Sequence, residues 1–190
     1  SGRVLVGPWY QQNDEFLTTG ESTVRNLLIG GDLARKAGGC MKIGYVPDQF
    51  GHISQLPQIL NQFGIDNAIM GRGRHVREND KHEFCWKSPD GSEIIVSYMM
   101  NWYNNAQRFP EDPKEASAYI DIILDQMEGR TLSKHLLLMN GVDHLEAQEN
   151  LSPILKRLKK DRPELSIRHS TLPAYIDSIK QDLKGKTLQL

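Results

Sequence analysis

Two aspartates, Asp48 and Asp143, stand where a carboxylate can act rather than merely be solvated. Asp48 belongs to Gly44-Tyr45-Val46-Pro47-Asp48-Gln49-Phe50-Gly51-His52, just past an apolar run at 41–46 with strand character. Pro47 has no N–H to give to a ladder, so it ends the strand and leaves Asp48 beyond its C-terminal end. Asp143 follows another apolar run, 135–139, through Asn140-Gly141-Val142. Arg72 follows a short run at 67–70, and Trp9 closes and Asp14 follows one at 3–9. In a parallel sheet these residues would converge on the C-terminal face, where α/β folds place their chemistry. Two carboxylates there can cleave a glycosidic bond. One attacks the anomeric carbon and the other protonates the leaving oxygen, and retaining enzymes hold the pair about 5–5.5 Å apart. Taken singly, either aspartate also fits a turn or a helix start.

The elements that must position them alternate. A helix is expected to begin at Ser22, with Val24, Leu27, Leu28, Leu33, Ala34 and Ala37 at helical spacing, a kink at Gly30-Gly31 and an end at Gly38-Gly39. After the Asp48 loop, Ser54 is placed to cap a helix carrying Leu56, Ile59, Leu60 and Phe63, with Gly64 at its end. Ser88-Pro89-Asp90-Gly91 is hairpin chemistry between 84–86 and 94–98. Asp112-Pro113-Lys114-Glu115 starts a further helix. Strands are expected at 135–139 and 166–169, and helices at 150–160 and 172–183. Repeated strand-helix order implies a parallel sheet with crossover helices, either open or part of a barrel. Val4, Ile43, Ala68 and Leu137 should then lie on adjacent parallel strands.

Composition narrows the classes. The 190 residues are 38% hydrophobic and 25% charged, as expected of one domain with a real core. Lys and Arg number 23 against 24 Asp and Glu, so the net charge of −1 favours neither nucleic acid nor anionic membrane. No apolar run approaches the roughly 18 residues of a membrane helix. Cys40 and Cys85 make neither a metal motif nor a disulfide framework, which fits a cytoplasmic protein. The chain opens directly into strand-like residues and closes on what reads as the start of another strand. Both ends are expected to be cuts through a larger protein, and their open sheet edges could pair two copies into a homo-oligomer.

The stretch Pro47-Asp48-Gln49-Phe50-Gly51-His52, followed by Gln55-Leu56-Pro57-Gln58-Ile59-Leu60, resembles the catalytic-nucleophile segment of glycoside hydrolase family 38, the α-mannosidases, in a bacterial-type form. Gly141-Val142-Asp143 is similar to that family's acid/base element, although some members carry a second acid where Val142 stands. The resemblance implies an α/β fold in which residues 1–190 are parallel β/α units of a distorted seven-stranded β/α barrel, with an inserted β-hairpin. It implies a retaining exo-acting α-mannosidase with Asp48 as nucleophile and metal ligand and Asp143 as acid/base. Trp9, Arg72 and Tyr103 would contact an α-mannoside or oligosaccharide substrate. The metal would be zinc or another divalent ion, but the family's His-x-Asp pair and distal histidine are missing here, so the chain alone should neither retain it nor be active. His52 is read as a structural partner of the loop, not a ligand. Two other readings compete: a polysaccharide deacetylase-like barrel, for which the Asp-Asp pair and His-x3-His element are absent, and a non-catalytic carbohydrate-binding domain.

Overall fold

The computed structural model describes residues 4–99 and 101–188. The interior strands are short and buried on both faces, as parallel sheets require. Gly44–Val46 (β1) pairs in parallel with Asn67–Met70 (β2), Gly44 opposite Ala68 and Val46 opposite Met70. All four residues of β2 are buried. Glu93–Tyr98 (β4) runs parallel to β2 on its other side, and Glu83–Lys87 (β3) is antiparallel to β4, giving the order β1-β2-β4-β3. The hairpin forms at Ser88-Pro89-Asp90-Gly91, where Gly91 takes a φ of +90° and Asp90 Oδ1 accepts from the Ser92 N–H at 3.0 Å. It is not an insertion, however. Its second arm is the next parallel strand, because Val96 and Tyr98 bury on one face while Ile95 packs on the other.

Helices cover both faces. Gly20–Lys36 (α1) and Leu56–Gln62 (α2) close one, over Leu27, Val46, Leu56, Leu60 and Val96. Leu172–Leu183 (α5) closes the other, with Ile176 and Ile179 against Ile43 and Ile69. Pro113–Met127 (α3) and Leu151–Asp161 (α4) enclose a separate cluster around Phe109, Ile120 and Leu158. The architecture is mixed α/β with a mostly parallel four-stranded sheet and five helices among the described residues. No helix among them is long and apolar enough to cross a membrane.

Several local expectations change. Thr19, not Ser22, caps α1, its Oγ1 accepting from the Ser22 N–H at 3.1 Å. Gly30 does not kink the helix: a Cβ there would lie 2.3 Å from Pro8 O, so glycine lets the 8–10 backbone lie on the helix. Ser54 does not cap α2. Its carbonyl accepts from Ser88 Oγ, and that same hydroxyl accepts the Gln58 N–H at 3.0 Å, so the hairpin turn caps the helix from outside. Asp112 caps α3 as expected, accepting from Lys114 and Glu115.

Of the four strands expected side by side, two do not form. The first reduces to a bridge between Val6 and Cys40, since Gly7 turns the chain at a φ of +88° and Pro8 cannot donate; Arg3 lies outside the described residues. Residues 135–139 keep strand-like alternation, with Leu136 and Leu138 on one cluster and Leu137 and Met139 on another. Yet a side chain supplies the ladder: Asn105 Nδ2 donates to Leu137 O at 3.0 Å and its Oδ1 accepts from Met139 N at 2.7 Å. Residues 166–169 are likewise irregular.

Candidate active site

The loop after β1 and the loop after β2 are in direct contact. A Cβ on Gly71 would sit 1.9 Å from Pro47 O, so only glycine allows the two turns to meet. Asp48 and Arg72 leave those turns and form an ion pair. The Arg72 guanidinium is held between two rings, 4.2 Å from the Phe50 centroid and 4.4 Å from that of Trp102. Asp48 Oδ1 is buried and makes no hydrogen bond, so its charge is balanced by the Arg72 contact. Asp48 is thus a half-buried carboxylate fixed by one cation.

The rest of the loop is pinned from behind. Phe50 N–H donates to Asp14 Oδ1 at 2.6 Å, and Ile53 N–H to Glu15 Oε2 at 2.9 Å. His52 Nδ1 is 3.1 Å from Glu15 Oε1 and its Nε2 is 3.0 Å from the Arg72 carbonyl, with both side chains almost wholly buried. Gly73 makes room for this ring; a Cβ there would lie 2.4 Å from His52 Cδ2. His52 is therefore the structural partner expected, joining the two turns that carry Asp48 and Arg72.

Asp143 reaches the same space from the 140–150 loop. The Tyr103 hydroxyl donates to Asp143 Oδ2 at 3.2 Å and also lies against Asp48. Desolvation raises the Tyr103 phenol above its usual value, and the charges of both aspartates and hydrogen bonds to them add to the shift. Tyr45 is pushed up to about 12, mainly by burial and then by Tyr103 and Asp143. Asp14, Tyr45, Asp48, Tyr103 and Asp143 line an open cavity of about 570 Å³, a size suited to a small ligand.

The structure brings Asp48, Asp143 and Tyr103 to one cavity, with Arg72 behind Asp48. Trp9 is not on the wall. It is half-buried, packs on the core and donates its indole N–H to Tyr45 O at 2.9 Å, one layer behind. Trp102 stacks on Tyr103 at 5.2 Å and holds a left-handed φ of +72°, costly for a bulky residue and kept only where the surroundings demand it. Sequence reasoning did not single out Glu15, Phe50 or Trp102 as clamps, because nothing in their spacing signals a contact across loops.

For a metal, the residues present do not suffice. Among the described residues no three His, Cys, Asp or Glu gather as a ligand set. Asp48, with Oδ1 turned to Arg72, offers one further oxygen, whereas stable catalytic sites use about three protein ligands. What the cavity does provide is a pair of carboxylates in unlike settings: one clamped to a cation, the other exposed and touched by a phenol.

The Glycosyl hydrolases family 38 N-terminal domain matches residues 1–189. A putative mannosylglycerate hydrolase of Halalkalibacterium halodurans is 37% identical over 194 residues, covering 96% of this chain and 22% of that protein. The human alpha-mannosidase 2C1 is 33% identical over 98 residues, 50% of this chain and 9% of its own length. The crystal structure of an alpha-mannosidase from Enterococcus faecalis superposes with a TM-score of 0.94 at 31% identity, over 100% of this chain and 22% of that one. The chain therefore spans under a quarter of the length of these relatives.

Proposed function

The chain belongs to the glycosyl hydrolase family 38 N-terminal domain family, and on that premise we propose that it is the site-bearing part of a retaining, exo-acting α-mannosidase. The observation that carries the reading is the shared cavity, where Asp48 and Asp143 face one tyrosine hydroxyl. Asp48, backed by Arg72, would attack the anomeric carbon. Asp143, exposed on its loop, would first protonate the leaving oxygen and then take a proton from the attacking water. Tyr103 would hold both carboxylates at working separation and flank the sugar.

In the intact protein, β1, β2 and β4 would be consecutive staves of the seven-stranded barrel. Residues 1–190 would supply part of that domain and be inactive alone. The zinc implied by the family would take Asp48 as one donor and its remaining ligands from other parts of the protein, and would orient sugar hydroxyls. A relative that covers 96% of this chain is named as a putative mannosylglycerate hydrolase, so mannosides of a short hydroxy acid belong within the substrate class. The family match favours this reading over a deacetylase or a carbohydrate-binding domain.

The test is to assay the intact protein on 4-nitrophenyl α-mannoside and to follow the first-formed sugar by proton NMR. Release of α-mannose is expected. No hydrolysis would contradict the α-mannosidase reading, and β-mannose formed first would contradict the nucleophile.

A further inference from the structure

A second cavity, of about 380 Å³, adjoins the first and shares Asn140 and Gly141 with it. The segment leading to Asp143 is thus a partition, with Asp143 on one side and Gln148 on the other. In glycoside cleavage the acid stands between the sugar and the group that departs. Resting on the α-mannosidase reading, we propose that the second cavity is the leaving-group pocket and that Arg108 fits it to a hydroxylated carboxylate.

The pocket is built, not a chance gap between loops. Asn140 Nδ2 donates to Ala106 O at 2.8 Å and to Gln148 Oε1 at 3.1 Å. Gln148 in turn accepts from Phe109 N at 2.9 Å and donates to Phe109 O at 2.8 Å, as a strand neighbour would. Phe109 is itself buried. Between these anchors and Gln107, Arg108 takes a left-handed φ of +50°, a conformation that persists only when the surroundings over-determine it. This presents an exposed guanidinium on the cavity wall, and it makes no ion pair or hydrogen bond among the described residues. Gln107 on the same wall has a buried Oε1 without a partner. A free cation on the wall matches a carboxylate, and the hydroxylated class follows from the mannosylglycerate hydrolase named above. The wall's two acids set the limit: Glu111 accepts from Asn150 Nδ2, and Glu146 is exposed on the loop. With both present the pocket suits one carboxylate, not a polyanion.

The experiment measures kcat/KM of the intact protein for an α-mannoside of glyceric acid and for the matched mannoside of glycerol. Wild type should prefer the acid. Arg108→Gln should lower the acid-to-neutral ratio by about 10- to 100-fold, the worth of a charge-assisted contact. Arg108→Lys, which keeps the charge but loses the fork, should fall between. A ratio unchanged in Arg108→Gln, or a wild type that prefers the neutral substrate, would overturn the proposal. Wild-type cleavage of 4-nitrophenyl α-mannoside separates the two failures: if it proceeds, only the pocket assignment falls, and if it does not, the mannosidase reading falls with it.

Discussion

Asp48 and Asp143 are the same chemical group in unlike surroundings, and the roles proposed for them rest on that difference. Asp48 is clamped by Arg72, itself caught between Phe50 and Trp102, which suits the proposed nucleophile. Asp143 lies on an exposed loop with one phenol contact, the setting proposed for the acid/base. Asp48→Ala in the intact enzyme should abolish activity on every substrate. Asp143→Ala should behave differently, because general-acid help is worth about 10²–10⁴-fold and matters least when the leaving group needs no proton. It should lose far more activity on a natural disaccharide than on a nitrophenyl mannoside, and azide should restore the second step. Equal losses on both, without rescue, would pass the role to another carboxylate. Both aspartates were legible in the sequence because each follows an apolar run through a turn. Their clamps were not: Glu15 holds His52, and Trp102 holds Arg72, across 37 and 30 residues of chain, and no local pattern reports such pairings.

At the scale of elements, turns meeting at glycine carry the geometry. Gly71→Ala would drive a Cβ into Pro47 O, and overpacking of this kind costs about 1–3 kcal/mol. Because the clash falls beside Asp48, kcat should drop more than thermal stability predicts; a variant with wild-type kcat would show that the two turns do not set the site. Asn105 is a second such element, an amide standing in for a strand. Asn105→Ala would strip Leu137 O and Met139 N of their partners, at about 1–3 kcal/mol, read in denaturant melts. No loss would mean that residues 135–139 are held otherwise. The helices were largely readable, α3 from Asp112-Pro113 and α5 from its apolar spacing. The strands were less so. Alternation at 135–139 is real, but alternation reports which way side chains point and not whether a neighbouring strand is there to bond. The hairpin was legible as a turn, whereas the parallel pairing of its second arm depends on burial of both its faces, which the sequence does not announce.

At the scale of the molecule, the sheet's far edge carries its own titration. His82 is buried next to β3, and burial, followed by the charge of Arg130, pushes its imidazole down to about 4. The unfolded chain takes up that proton near 6.5. Between those values the unfolded state binds more protons, so this contribution to stability is full above pH 6.5 and is lost as pH falls toward 4. His82→Leu should flatten the slope of melting temperature against pH across that window, whatever its effect on the level; an unchanged slope would show that His82 is not the group responsible. The wider architecture places the cavity, with its paired aspartates, on the face where β1 and β2 end, and the catalytic claim made for it can be tested on the intact protein in one step. The protein is incubated with 5-fluoro-α-mannosyl fluoride, which forms the glycosyl-enzyme but breaks it down slowly, and is then digested and mapped by mass spectrometry. One fluoromannosyl adduct is expected, on the peptide and side chain of Asp48. An adduct on any other residue, or turnover of the reagent with no adduct at all, would contradict the assignment of this cavity as the catalytic site.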